Sequence, residues 1–300
     1  MKNIVCFGEV LWDVFPTHKK IGGAPLNVAL RLQSLGNNVS IITRIGDDPK
    51  GEEIADFIKA NGVNTKNIQI DATLETGEVD VILDQSGSAT YTINVNRAWD
   101  NLQVTETALK TTQQADAFIF GSLVARDMTS RATLYKLLEV AKYKILDINL
   151  RAPHYTIEVL NELMYAAEFI KFNDDEIFEI AESMHFKSES LEENIQFIAK
   201  QMDTASICVT KGGHGAILYY NETFYYNKGY QIKVVDTVGA GDSFLATLIN
   251  KLLQKNSPQE AIDYACAAGA LVAGSEGANP NISQEDIAKF MTPNNTFCDK

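Results

Sequence analysis

The sequence predicts an α/β fold, with a mostly parallel central sheet, helices on both of its faces and a small second β-sheet. Three observations predict it. Short β-branched or aromatic runs alternate with helical patterns, as in parallel strands joined by crossover helices. Two segments instead alternate every second residue and carry no intervening helix. No repeat, low-complexity tract or Pro/Gly/Ser linker interrupts the 300 residues, so one domain over 1–300 is expected, with the two exceptional segments inserted into it.

In chain order the expected strands are IVCFG (4–8), VSIITRIG (39–46), AFIFGSL (117–123), KILDIN (144–149), FIKFN (169–173) and SICVTK (206–211). Helical spacing marks 25–35, 51–61, 129–142 and 174–184 between them. The two exceptions, about 9–23 and 76–97, read as antiparallel hairpins that together form the small sheet. A last helix follows GAGDSF, because Phe244, Leu245, Leu248, Ile249, Leu252 and Leu253 recur at helical spacing.

Composition excludes several classes. A net charge of −13 argues against nucleic acid or an anionic membrane as partner. Cys6, Cys208, Cys266 and Cys298 stand far apart with no C-x-x-C pair, as expected of unlinked thiols in a reducing compartment. The apolar run before Gly8 is too short for a signal peptide, and no stretch approaches the roughly 20 residues that span a bilayer. A cytoplasmic location and a small-molecule partner are expected. His18, His154, His185 and His214 have no metal spacing and are expected to be solvated.

VVDTVGAGDSF (234–244) is the most informative stretch. Gly239, Ala240 and Gly241 lie where a loop enters a helix, so backbone N–H groups can approach an anion. A dinucleotide fingerprint would need Gly at position 244, which is Phe, and no Walker-type phosphate loop is present. What is left is an anion hole with a carboxylate, Asp242, at its rim. That suits a base taking a proton from an alcohol while N–H groups hold charge on a transferring phosphoryl group. Other polar residues at strand exits, among them Asp13, Asn27, Asn173, Glu176 and Asp236, could equally be ordinary caps.

Across nearly its whole length the chain resembles the ribokinase-like, or pfkB, carbohydrate kinases. The resemblance rests on GGAPLNVALRLQSLG (22–36) with RIGDDPKGEEI (44–54), and on DTVGAGDSF (236–244). Between them DINLR (147–151) looks like D-P-N-x-R with Ile148 for Pro, KFNDDE (171–176) carries N-x-x-E, and TKGGHG (210–215) looks like T-x-G-x-x-G. The resemblance implies the ribokinase-like three-layer fold with a β lid, and use of ATP with Mg²⁺. It makes Asp242 the base and Gly239, Ala240 and Gly241 the anion hole. Asp13, Gly22, Gly23 and Asn27 would bind the sugar, with the two glycines as a hinge. Arg151 would clamp the transferring phosphate, though a surface ion pair would also account for it.

On the nucleotide side the resemblance implies Asn173 and Glu176 beside water and Mg²⁺, although Asn followed three residues later by Glu is also a capping box. Thr210, Gly212 and Gly215 would line the nucleotide pocket, or form the turn of a hairpin. GSEGANP (274–280), with Asn279, looks like the adenine-side loop. Asp236 and the backbone at Val238 would belong to a monovalent cation site; Val238 stands where many relatives have Thr, which leaves K⁺ dependence open. The fructokinase branch is nearest, through GEVLWDVFP and FGSLVARDMTS, so fructose phosphorylated to fructose 6-phosphate is expected. Another sugar, a nucleoside, or a non-catalytic sugar-binding role are the alternatives. Val79, Val81, Tyr91 and Ile93 alternate on one face of the small sheet, from which a homodimer is expected.

Overall fold

The structure, a computed structural model, describes residues 1–83 and 89–292. The chain divides into two compact units, one built from Met1–Gln33 and Asn37–Glu168, the other from Ser34–Gly36 and the chain from Phe169 onward.

The first unit opens with β1 (Asn3–Phe7), β2 (Leu11–Val14), β3 (Lys19–Gly22) and α1 (Ala24–Ser34), followed by β4 (Asn38–Gly46), α2 (Pro49–Ala60) and β5 (Asn64–Asp71). Then come β6 (Gly77–Leu83), β7 (Ala89–Ile93), α3 (Glu106–Gln114), β8 (Ala117–Gly121), α4 (Met128–Leu138), β9 (Lys144–Asp147) and α5 (Ile157–Ala166). Five strands run parallel in the order β9-β8-β1-β4-β5. Their centre is nearly all apolar: Ile4, Val5, Cys6 and Phe7 on β1 and Phe118, Ile119 and Phe120 on β8 are at most 2% exposed. A parallel strand covered on both faces has this continuous apolar pattern.

The two inserted hairpins do form one separate sheet, in the order β3-β2-β6-β7. Each hairpin is antiparallel, and β2 and β6 join them by a parallel pairing. Residues 84–88 of the second hairpin lie outside the described residues. Trp12 fixes the base of this sheet, its indole N–H donating to the Lys50 carbonyl of α2 at 3.1 Å and its ring lying under the Lys19 ammonium at 3.9 Å. Val79 and Val81 pack with Leu11, Phe15 and Ile93 and are only 5% and 2% exposed. The expectation that Val79 and Val81 would be left uncovered by a single chain is therefore corrected, because this chain covers them. Tyr91, named with them, lies outside the residues whose side chains are described.

The RIGDD motif acts as a clasp. Asp48 caps α2 by accepting from Gly51 N at 2.8 Å and also accepts from Thr76 N and Oγ1, each at 2.8 Å, tying the exit of β4 to the start of β6. Burial raises the Asp48 carboxyl, but the Thr76 and Gly51 hydrogen bonds outweigh it, so its pKa lies below the ordinary value.

The second unit contains β10 (Phe169–Asn173), α6 (Asp174–Ser183), α7 (Leu191–Met202), β11 (Ser206–Thr210), β12 (Ala216–Tyr220), β13 (Thr223–Asn227), α8 (Ala240–Leu253), α9 (Pro258–Ala273) and α10 (Gln284–Met291). β10 and β11 are parallel, while β11-β12-β13 is an antiparallel meander. Helices α8 and α9 pack closely because their small residues admit it: a Cβ on Gly269 would lie 3.3 Å from the Ala240 carbonyl. Cys6, Cys208 and Cys266 are buried and in no disulfide, and Cys298 lies outside the described residues. Among the described residues no helix is long and apolar enough to cross a membrane.

Candidate active site

In the first unit the hairpin β2-β3 places Asp13 against Gly22. A Cβ on Gly22 would lie 2.4 Å from the Asp13 carboxylate, so the bare backbone leaves that carboxylate its position. Gly23 has φ +111°, and a Cβ there would come within 2.5 Å of the Glu9 carbonyl. Both effects demand glycine, so the pair serves close packing at the entrance to α1. Asn27 follows on the first turn of α1, its backbone N–H bonded to the Gly23 carbonyl, and is 5% exposed. Burial pushes the Asp13 carboxyl up to about 6 from its ordinary 3.8, against the pull of the Lys20 ammonium opposite it on β3.

That shift has a stability consequence with a definite sign. The folded chain holds the Asp13 proton at a pH where the unfolded chain has lost it, so stability falls as pH rises from about 4 to about 6 and stays lower above. Asp13→Asn should therefore raise the melting temperature at pH 7.5 and have little effect at pH 4, a comparison that thermal unfolding at the two pH values makes directly.

DINLR follows β9. Ile148, at the Pro position of the D-P-N-x-R pattern, is fully buried, and its carbonyl accepts from Ser122 Oγ at 2.5 Å. The substitution is thus absorbed by packing. Arg151 is exposed and donates Nη1 to its neighbour's carbonyl, Leu150 O, at 2.8 Å. It makes no ion pair among the described residues, so its remaining donors point to solvent or a ligand.

In the second unit Gly239 caps α8 with φ +77°, and any Cβ there would sit 2.6–2.7 Å from Ala278. Only glycine brings the 236–239 loop this close to the 274–280 loop. Asp236 binds the same two loops, accepting from Val238 N at 3.0 Å and from Gly277 N at 3.2 Å. Ala240, Gly241 and Asp242 make the first turn of α8, and the Ala240 N–H donates to the Thr237 carbonyl at 3.2 Å. Asp242 is half-buried there, and Val238 and Asn279 are exposed on the adjoining loops.

Lys171 completes this corner, and sequence reasoning missed it. It lies on β10, is 6% exposed, and its ammonium is 3.6 Å from where a Cβ on Gly241 would stand. A buried cation at a helix start is suited to a multiply charged anion. The available signal was a lone lysine inside an otherwise apolar strand.

Asn173 and Glu176 form a reciprocal capping box, Oδ1 accepting from Glu176 N at 2.8 Å and Oε2 from Asn173 N at 2.7 Å. Thr210 ends β11 and donates to the Phe172 carbonyl at 3.3 Å. The TKGGHG segment is the turn between β11 and β12. Gly215 is required there, since a Cβ would lie 2.1 Å from the Asn227 carbonyl, whereas Gly212, with φ +52°, faces open space. His18, His185 and His214 are exposed as expected. His154 is the correction: it is half-buried and lines a cavity, and burial followed by the nearby Arg126 cation lowers its pKa.

Residues 1–285 match the family model described as pfkB family carbohydrate kinase. The chain is 29% identical to a fructokinase of Solanum tuberosum over 310 residues, 95% of this chain and 94% of that one. Its fold matches that of a Vibrio cholerae O395 fructokinase in fructose-, ADP- and potassium-bound form, with a TM-score of 0.84 and 23% identity over 97% of this chain and 99% of the other. It also matches an aminoimidazole riboside kinase of Salmonella enterica complexed with aminoimidazole riboside and an ATP analogue, with a TM-score of 0.80 and 22% identity over 96% and 99% of the two chains. A half-buried carboxylate at a glycine-capped helix start, a buried lysine beside it and a family match over nearly the full length agree: this chain belongs to the pfkB family of carbohydrate kinases.

Proposed function

We propose that this ATP-dependent carbohydrate kinase transfers the γ-phosphoryl group of ATP to the O6 hydroxyl of D-fructose, giving fructose 6-phosphate and ADP. The observation that carries the transfer is Asp242 in the first turn of α8 with the Lys171 ammonium close by. Asp242 takes the hydroxyl proton as the O–P bond forms and the bond to the ADP oxygen breaks. The N–H groups at Gly239 and Gly241, with Lys171 and Arg151, stabilise charge on the equatorial phosphoryl oxygens, while Ala240 holds the turn through its bond to the Thr237 carbonyl. The similarity to fructokinases supports fructose as acceptor. Asp13 accepts from neighbouring sugar hydroxyls and Asn27 both donates and accepts.

Among the described residues no cluster of three or more His, Cys, Asp or Glu could cage a metal. Mg²⁺ needs none, since it keeps most of its waters and takes one or two carboxylates plus substrate phosphates. The oxygen donors of Asn173 and Glu176 fit that role through water. Mg²⁺ when bound neutralises phosphate charge. Thr210, Gly212, Gly215 and Asn279 line the nucleotide side, and Asp236 with the carbonyl at Val238 supplies oxygens suited to K⁺.

Lys171→Met removes a charge without removing bulk. It should lower kcat about 10²-fold while leaving the fructose KM within about threefold, as loss of one donor to transition-state charge does. Steady-state kinetics against both substrates separate the two parameters.

The four-stranded sheet serves as a lid that keeps water from the phosphoryl group. Fructose should slow hydrogen exchange in 9–21 and 76–97 more than ATP does, as mass spectrometry of peptic fragments would register. Unchanged exchange there would remove the lid.

A nucleoside acceptor is the second reading, favoured by the match to a riboside kinase. A panel of sugars and nucleosides with ATP, read by ADP release and product identification, tests both. A nucleoside exceeding fructose tenfold in kcat/KM would replace fructose.

A further inference from the structure

The small sheet has two faces, and its strand pairing assigns side chains to each. β2 and β3 are antiparallel, with Leu11 opposite Gly22, Trp12 opposite Ile21, Asp13 opposite Lys20 and Val14 opposite Lys19. Directly paired residues share a face, and successive residues alternate between faces. Lys19 and Lys20, adjacent in the chain, are thereby sent to opposite sides. Lys19 stands with Trp12, its ammonium 3.9 Å from the indole ring and 2.9 Å from the Glu53 carboxylate of α2. Lys20 stands with Asp13.

The face that Asp13 and Lys20 share is otherwise apolar. Leu11 and Phe15 flank Asp13 along β2, and Val79 lies opposite it on β6. Glu78 and Asp80, on either side of Val79, alternate to the Trp12 face, and the Lys50 ammonium of α2 holds Glu78 there at 2.6 Å. His18, in the turn between β2 and β3, stacks on the Phe15 ring at 4.5 Å. Glu9 on the segment before β2 and Arg31 on α1 are both buried. Lys20 is the charged group that pulls on Asp13.

We propose that Lys20 is a positioning residue for the acceptor, its ammonium keeping the Asp13 carboxylate in the anionic form that accepts from sugar hydroxyls. Its value for the reaction rests on Asp13 being the sugar-binding carboxylate. A carboxyl group on an apolar face is driven toward its neutral form, and a neutral acid has less capacity to accept than a carboxylate. Burial raises Asp13 to about 6 even against the pull of Lys20. Without that cation the acid form would persist to higher pH. Lys20 is exposed, so its effect has the size of a solvated cross-strand pair.

Carbon-13 spectra of the aspartate carboxyl groups, followed against pH in the full chain without sugar, test the coupling directly, with Asp13→Asn identifying the Asp13 signal. Lys20→Met should raise the Asp13 midpoint by about half a pH unit, and Lys20→Arg should leave it at the parent value. Sodium chloride at about 0.5 M should narrow the gap between the parent chain and Lys20→Met, because it screens a solvated pair. Lys19→Met makes the same change of net charge on the opposite face and should leave Asp13 where it is. In steady-state kinetics, the pH at which the fructose KM begins to climb should move up with the carboxyl in Lys20→Met and return in Lys20→Arg. An unmoved Asp13 midpoint in Lys20→Met, or an equal shift in Lys19→Met, would overturn the proposal. A carboxyl that shifts while the KM profile stays fixed would support the coupling and contradict Asp13 as the sugar's acceptor, so the two failures are separate results.

Discussion

Asp242→Asn should lower kcat by about 10²–10⁴ while sugar and ATP affinities stay close to those of the parent chain. The amide keeps the shape of the carboxylate, and it cannot take a proton. Because Asp242 stands in the first turn of a helix opened by Gly239 at φ +77°, the change leaves the loop contact with Ala278 untouched. Calorimetric titration with each substrate establishes that binding survives, and rapid-quench measurement of the chemical step establishes where the rate is lost. A variant that keeps more than a tenth of the rate would exclude Asp242 as the base.

Asp13→Ala should act on the sugar alone. Two hydrogen bonds to a charged acceptor are worth roughly 1.5–3 kcal/mol each, so the sugar Kd should rise about 10²–10⁴-fold. ATP affinity should hardly change. The raised pKa of this carboxyl adds a pH signature: as pH falls through about 6, Asp13 is protonated and the parent chain's fructose KM should climb, whereas the alanine variant's should stay flat. Loss of ATP affinity in the variant, measured without sugar, would mean that Asp13 supports the fold and not the acceptor.

Much of this architecture was legible because periodicity and burial agree. Six apolar runs became strands, and the expected helices at 25–35, 51–61, 129–142 and 174–184 appear at Ala24–Ser34, Pro49–Ala60, Met128–Leu138 and Asp174–Ser183. The two helix-free segments pair into one sheet as their two-residue alternation requires. β5 was not legible. NTKNIQID is polar, and as the outer strand beside β4 it buries little, leaving Ile70 63% exposed. Its pairing is set by the exposed edge of β4 and by the Arg44–Asp71 pair at 2.8 Å, neither of which periodicity records.

The candidate site was legible where a residue type is constrained locally, and illegible where tertiary packing makes the contact. Gly23, Gly215 and Gly239 each need positive φ at a close approach, so their motifs mark them. Asn173 and Glu176 meet within one turn of helix, which the N-x-x-E spacing shows. Lys171 escaped because its meaning depends on α8, about seventy residues further along the chain.

Phosphorus NMR of the product formed from ATP and fructose tests the central claim most directly. The account expects ADP and a phosphomonoester on the primary O6 carbon, formed by the parent chain and lost in Asp242→Asn. Fructose 1-phosphate would contradict the assignment of acceptor hydroxyl. Release of inorganic phosphate alone, or a product rate indifferent to Asp242→Asn, would contradict sugar phosphorylation by this base.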